Sequence, residues 1–400
     1  MKKVAIVGIG IGMSTLTFEA MEAINDAEVL IGAQRVLELT SGLYEGTSKR
    51  LYTCYLPKEI STAIQTEAAE RFAVLVSGDV GFYSAANGLA EALPAYDLRF
   101  VPGISTVNAF FARLKLPWQD AAFASAHGHE TDIVGTVRRN RLTFCLTGNN
   151  TNALGIALRE AGFGHITTHI GENLGTDSER VYEATVDDFV RMAFPSMTVL
   201  LFVNEAFDDR TPCGLPDSRF SRLTGIPMTK SETRAVVMSK LNLRPASICW
   251  DIGAGTGSVT VEMALSAYRG HVYAVERRAE AIPLIDENCR SFHIGIATVI
   301  CGEAPAALES LPAPDAVCIG GSGGQLDGII SFVLDKNPDA RIVVTAVTLE
   351  TVSSALAAFA KAGLEPEIVQ MNVARSKRVS ELHLMEAQNP VTILSIGGKP

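Results

Sequence analysis

The chain has 400 residues, about twice what one hydrophobic core usually organises, so two domains are expected. With 47% hydrophobic and 20% charged residues it has a globular composition, and it lacks the uninterrupted run of roughly 18 apolar residues that a membrane span needs. Forty-four acidic against 34 basic residues give a net charge of −10, which argues against a general nucleic-acid binder, since that needs a basic surface to displace counterions.

Met1-Lys2-Lys3 leads directly into Val4-Ala5-Ile6-Val7-Gly8, without the apolar core or small-residue cleavage site of a secretory signal, so a cytoplasmic protein with no membrane partner is expected. In the first half, apolar runs rich in β-branched residues at 4–7, 72–77, 98–101, 142–147 and 197–203 read as strands. Helical patterns at 15–27, 85–93 and 152–161 lie between them, which predicts an α/β domain with a mostly parallel sheet. Gly8-Ile9-Gly10-Ile11-Gly12 follows the first strand, but position 13 is Met, so the spacing misses the dinucleotide pattern. Further turn-rich stretches are Ser77-Gly78-Asp79-Val80-Gly81-Phe82-Tyr83-Ser84, Val101-Pro102-Gly103-Ile104-Ser105-Thr106, Thr147-Gly148-Asn149 and Gly171-Glu172-Asn173-Leu174-Gly175.

His127-Gly128-His129-Glu130 places two histidines at facing strand positions, yet no third ligand of recognisable spacing accompanies them, and no metal is expected. A polar wall of a substrate cleft and an inert loop both remain open for this segment. Arg138, Arg139 and Arg141 cluster nearby, as a solvated surface or as an anion clamp. After residue 203 the chain turns polar and broken, with Asp208-Asp209-Arg210, Pro212, Gly214 and Pro216, and a linker is placed at 206–224 between domains at 1–205 and 225–400.

The second half repeats the α/β grammar. A helix at 231–241 precedes a strand at 248–251, a glycine loop and a helix at 259–268. Strands at 271–276, 298–301, 316–319 and 341–346 alternate with helices at 279–291 and 349–361, as in a doubly wound sheet. The first strand ends in Asp251 and runs into Gly253-Ala254-Gly255-Thr256-Gly257, where glycines allow a sharp turn and close approach to a ligand. The third glycine comes one residue too early for a pyrophosphate site, and Glu276 closes the next strand, where an acid can grip ribose hydroxyls. A nicotinamide oxidoreductase fails on this spacing in both halves, and a non-catalytic binding module would leave degenerate glycine loops, whereas both loops are intact. The seven cysteines, at 54, 145, 213, 249, 289, 301 and 318, form no C-x-x-C pair, and most read as small buried apolar residues.

The glycine loop with acidic strand ends resembles the Rossmann-like class I methyltransferase site for S-adenosylmethionine. With Gly225-Ile226-Pro227-Met228-Thr229-Lys230-Ser231-Glu232-Thr233-Arg234 before it, and Gly302-Glu303-Ala304-Pro305 and Ile319-Gly320-Gly321-Ser322-Gly323-Gly324 after it, the second half resembles the decarboxylating precorrin methyltransferases of cobalamin synthesis. That resemblance implies cofactor contacts at Thr229, Asp251, Gly253, Ala254, Gly255, Thr256, Gly257, Glu276, Glu303 and Ala304, and close substrate approach at Gly321, Ser322 and Gly323. The ordered motifs of the first half resemble the tetrapyrrole methylase (class III) family, which implies cofactor contacts at Gly8, Gly10, Gly12, Gly78, Asp79, Val80, Phe82, Ser105 and Thr106. Where that family commonly has Gly-Asp-Pro, this chain has Gly78-Asp79-Val80, without the stiffening proline.

The ordered pair implies a bifunctional enzyme that methylates a precorrin at C5 and C15 and removes the C12 acetate carboxyl, giving precorrin-8. One S-adenosylmethionine per domain and a homo-oligomer are implied with it. The alternative is a two-domain S-adenosylmethionine methyltransferase acting on another substrate. Because the macrocycle bears acetate and propionate carboxylates, basic residues should line the pockets, and Arg375, Lys377 and Arg378 are favoured over the earlier cluster. His127 and His129 are kept as substrate-wall candidates in the first domain. No residue declares itself as the catalytic group for either step.

Overall fold

The computed structural model describes residues 2–126, 132–148, 150–211 and 213–397. The chain divides into two compact units: Met1–Thr131, Asn140–Gly155 and His165–Glu205 form one, and Asp132–Arg139, Ile156–Gly164 and Ala206–Pro400 the other. No helix among the described residues is long and apolar enough to cross a membrane.

In the first unit, β1 (Lys3–Gly8), β2 (Val29–Gly32), β3 (Arg50–Thr53), β4 (Arg71–Val76) and β5 (Asp97–Val101) make a parallel sheet in the order β3-β2-β4-β1-β5. Alternate side chains of β1 enter two different cores, Val4 and Ile6 on one face and Val7 on the other, which is why the strand reads as a continuous apolar run. The helix Phe18–Asp26 starts where Thr17 accepts the Ala20 N–H at 3.1 Å. The helical pattern at 85–93 shrinks to Leu89–Ala92, because Gly88 before it adopts φ 82°, outside helical geometry.

A second sheet follows, from β6 (Ala122–Ser125), β7 (Leu142–Leu146), β8 (Thr167–Glu172), β9 (Arg180–Thr185) and β10 (Thr198–Val203), in the order β6-β7-β10-β8-β9. Only β6 and β7 run parallel here; β10 lies antiparallel between β7 and β8, and β9 pairs antiparallel with β8. The parallel sheet expected for the whole first half is thus confined to β1–β5 and the β6–β7 pair, because β10 inserts antiparallel between β7 and β8, which the helix Thr151–Glu160 connects.

The second unit holds β11 (Ile248–Ile252), β12 (His271–Glu276), β13 (Ala297–Cys301), β14 (Ala316–Ile319), β15 (Arg341–Ala346), β16 (Glu367–Met371), β17 (Ala374–Val379), β18 (Leu382–Ala387) and β19 (Val391–Ile396). Seven of them form one sheet, β13-β12-β11-β14-β15-β19-β16, parallel except where β19 runs against β15 and β16. The strand order reverses at β11, so the connections leaving β11 and β14 lead to opposite sides and leave a crevice at their carboxyl ends, the usual ligand position of open α/β sheets. The remaining pair, β17 and β18, is a separate antiparallel ribbon.

Helix Ser258–Ser266, packed behind β11, buries Ser258 through Leu265. It therefore carries no polar stripe, and its single acid, Glu262, is fully buried. That carboxylate accepts the Gly214 and Leu215 N–H groups, both at 2.8 Å, and pairs with the buried Arg234 at 2.5 Å. Arg234 in turn donates to the carbonyls of Leu215 and Thr229. The polar stretch after residue 212, which carries no periodicity in the sequence, is accordingly a strap with Leu215, Asp217 and Phe220 buried against the second unit.

Candidate functional site

The carboxyl ends of β11, β12 and β14, with the loop after β13, form one cleft in the second unit. Gly253, Gly255 and Gly257 all have positive φ, 74°, 57° and 76°, which a side chain would strain. Space imposes the same choice: a Cβ at Gly253 would lie 2.5 Å from the Gly321 nitrogen, and one at Gly255 2.5 Å from the Pro227 carbonyl oxygen. Bare backbone from three segments therefore meets around the cleft.

Glu276 supplies its acidic wall. Its carboxylate accepts the Gly255 and Arg278 N–H groups, each at 2.9 Å, so both oxygens are fixed while retaining lone pairs for hydroxyl donors. Glu303 and Ala304 line the cleft beside Gly302, and Gly321, Ser322 and Gly323 line it from the loop after β14. The sequence reading missed Pro227, Arg277 and Arg278. The available signal was two arginines directly after the acidic strand end. Arg277 lies 3.5 Å from Glu303, both more than half exposed, and the Arg278 guanidinium donates to the Gly225 carbonyl at 2.5 Å.

Other residues singled out from the sequence face away from the cleft. Asp251 is buried and accepts the Thr260 hydroxyl at 2.5 Å, and burial pushes its carboxyl up to about 6. Ala254 joins the apolar core, Thr256 is fully buried, and a Cβ on Gly257 would strike Ile285 at 2.8 Å. Thr229 contributes its carbonyl to Arg234. Arg375, Lys377 and Arg378 sit on β17 and do not line the cleft. Arg375 pairs with Asp217 at 3.0 Å and with Glu232, Lys377 lies 3.6 Å from Glu386, and Arg378 lies 3.4 Å from Glu381. The basic face favoured from the sequence is thus matched by acids of the same unit.

The first unit has its own cleft, between the carboxyl ends of its parallel strands and the ends of β6, β7 and β10. Gly10 and Gly78 form a two-way backbone bridge, at 3.1 and 2.8 Å. A Cβ on Gly8 would come 2.7 Å from the Gly78 oxygen, and one on Gly12 2.6 Å from the Gly175 oxygen. Asp79 accepts the Gly81 N–H at 2.8 Å and the Gly103 N–H at 3.1 Å, which pins two loops without the proline of the family pattern. Val80 packs on the core, and Phe82 meets Phe123 edge-on at 5.5 Å. Ser105 caps helix Thr106–Leu114 by accepting the Asn108 N–H at 3.3 Å.

Thr106 lines this cleft directly, as do Ile11, Ser77, Tyr83 and Ser84 beside the other singled-out positions. His127 and His129 lie outside the described residues. In the basic cluster of Arg138, Arg139 and Arg141, Arg141 pairs with Glu205 at 2.7 Å, and Arg138 is buried against the Asp208 carbonyl at 3.1 Å, with burial lowering its guanidinium to about 10. Four of the seven cysteines, Cys145, Cys249, Cys289 and Cys318, are buried, and burial pushes the first three thiols up to about 12.

The chain matches two family models: Tetrapyrrole (Corrin/Porphyrin) Methylases over residues 3–190 and the Precorrin methyltransferase domain over residues 223–397. A Sinorhizobium protein named precorrin-6Y C(5,15)-methyltransferase (decarboxylating) is 30% identical over 398 residues, spanning 97% of this chain and 94% of that protein. A Pyrobaculum calidifontis protein, named a probable cobalt-precorrin-6B C(15)-methyltransferase (decarboxylating), is 41% identical over 184 residues, 46% of this chain and 94% of that one. Among solved structures, a precorrin-6Y C5,15-methyltransferase from Geobacter metallireducens is 37% identical, covers 46% of this chain and 95% of its own, and superposes with a TM-score of 0.43.

Proposed function

The chain belongs to the family of bifunctional, decarboxylating precorrin-6Y C5,15-methyltransferases, and on that premise we propose that it methylates precorrin-6Y at C5 and C15, releases the C12 acetate carboxyl as CO2, and so makes precorrin-8 for cobalamin synthesis. C5 is assigned to the first unit. C15 and the decarboxylation are assigned to the second, following the resemblance of 225–400 to the decarboxylating precorrin methyltransferases. One S-adenosylmethionine is assigned to each.

The observation that carries this reading is the second-unit cleft. Its residues fit the cofactor: Glu276 holds two oriented carboxylate oxygens for ribose hydroxyls, and glycine at 253 and 255 lets the Gly321 and Pro227 backbone close in as cleft walls that a Cβ would push apart. Glu303 and Ala304 would complete the contacts. In the first unit the interlocked loops at Gly8, Gly10, Gly12, Gly78, Asp79 and Ser105-Thr106 would hold the second molecule. When bound, S-adenosylmethionine supplies an electrophilic methyl group on a sulfonium.

The accepting carbon belongs to an electron-rich conjugated macrocycle and needs no strong base to become nucleophilic. The chain's task is alignment, which can lower a barrier by about 7–11 kcal/mol. Rigid backbone loops suit that task. For the decarboxylation, the electron pair left by CO2 flows into the ring, a solvent proton then completes the C12 methyl group, and the chain's part is to keep that carboxylate out of strong solvation.

The test is a mass-spectrometric assay with methyl-labelled S-adenosylmethionine and freshly generated precorrin-6Y. A product with two labelled methyl groups and one CO2 fewer is expected. An unchanged tetrapyrrole, with cofactor still bound, would remove the substrate assignment.

A further inference from the structure

Among the described residues, the first-unit cleft is lined by apolar side chains, hydroxyls and one amide, and Arg35 alone of them is charged. Arg35 is the second residue of helix Gln34–Thr40, whose Val36, Leu37 and Thr40 are buried and hold the helix against β2 and β4. Its neighbour Gln34 engages Glu38 at 2.6 Å, so that acid is already occupied. Arg50, Arg99, Arg113 and Arg141 of this unit each rest on a glutamate. Arg35 has no ion pair and no side-chain hydrogen bond among the described residues.

An exposed arginine without a partner is ordinary on an open surface. On the wall of a concave site whose described lining contains no acid, it makes the only positive charge among the described residues that a ligand would meet there. Resting on the functional reading above, the ligand of this unit is a macrocycle that carries acetate and propionate carboxylates. We propose that Arg35 is the substrate-carboxylate clamp of the first unit, taking one acetate or propionate group of the tetrapyrrole in a forked, two-hydrogen-bond pair. A guanidinium suits this because its planar donors match both carboxylate oxygens, whereas an ammonium is a point charge.

The test uses the full-length protein with precorrin-6Y and S-adenosylmethionine, comparing wild type, Arg35→Ala and Arg35→Lys. For C5 methylation, Arg35→Ala should raise KM for the tetrapyrrole about 10-fold or more, the scale of a lost charge-assisted hydrogen bond, while kcat changes far less. Arg35→Lys should recover part of that loss, and S-adenosylmethionine affinity, read by calorimetry, should stay at the wild-type value in both. An unchanged tetrapyrrole KM in Arg35→Ala would overturn the clamp. A fall in cofactor affinity that accounts for the lost activity would do the same, placing Arg35 at the cofactor's own carboxylate. If wild type binds cofactor but leaves precorrin-6Y unmethylated at C5, the functional reading fails and the clamp fails with it.

Discussion

Glycine at 255 is required twice over, by a φ of 57° and by a Pro227 oxygen only 2.5 Å from where a Cβ would stand. Gly255→Val should therefore displace the 225–228 segment and break the N–H contact that fixes Glu276, on top of a left-handed backbone penalty of about 1–2 kcal/mol. C15 methylation and CO2 release should fall together, by about 100-fold or more if the added strain and lost positioning reach 3 kcal/mol, while C5 methylation continues. Counting labelled methyl groups per product checks this, and equal loss at both carbons in a folded variant would contradict the division of labour. Asp251 and Glu276 show where reading residues from sequence stops. Each is an acid near a strand end, yet Asp251, one residue before the end of β11, turns to Thr260 on the helix behind it, while Glu276, the last residue of β12, faces the cleft. Nothing in the two local patterns separates those fates.

At the scale of elements, the apolar period of Leu349–Lys361 was legible and that helix stands where the pattern put it, and Ser231–Leu241 also keeps its expected bounds although its apolar period is weak. Short strands were not. β3 and β9 bury none of their residues fully and β2 has only four, so no alternation marks them in the sequence. Helix Ser258–Ser266 stands close to its expected 259–268, but the burial of its one charged side chain, Glu262, was not legible. Glu262 is tolerated there because Arg234 and two strap N–H groups satisfy it. Glu262→Ala leaves the buried Arg234 with only Asp217, 3.5 Å away and shared with Arg375, as an acidic partner, and should cost about 3–5 kcal/mol of stability, measured by chemical denaturation. The exposed Arg277–Glu303 pair sets the contrast, since such pairs contribute about 0–1 kcal/mol.

Across the whole molecule, each unit has its own cleft at the carboxyl ends of its own parallel strands. Calorimetric titration with S-adenosylmethionine should accordingly give two sites per chain, and a single site would remove the assignment of one cofactor to each unit. The glycine loops of both clefts were legible because backbone geometry restricts residue choice there. Arg35 was not, because one arginine in a helical stretch carries no spacing signal until the fold brings Ser77, Tyr83 and Thr198 around the same space. Nor was the strap, whose polar, proline-broken composition matches that of an ordinary connector. It has a practical consequence for dissecting the gene. The family match to the second half begins at residue 223, and a cut there would discard Gly214, Leu215 and Asp217, stranding Arg234 and Glu262 in the interior without half their partners. A self-sufficient second half has to start upstream of Cys213, and a fragment trimmed to the family boundary would report the behaviour of an injured domain.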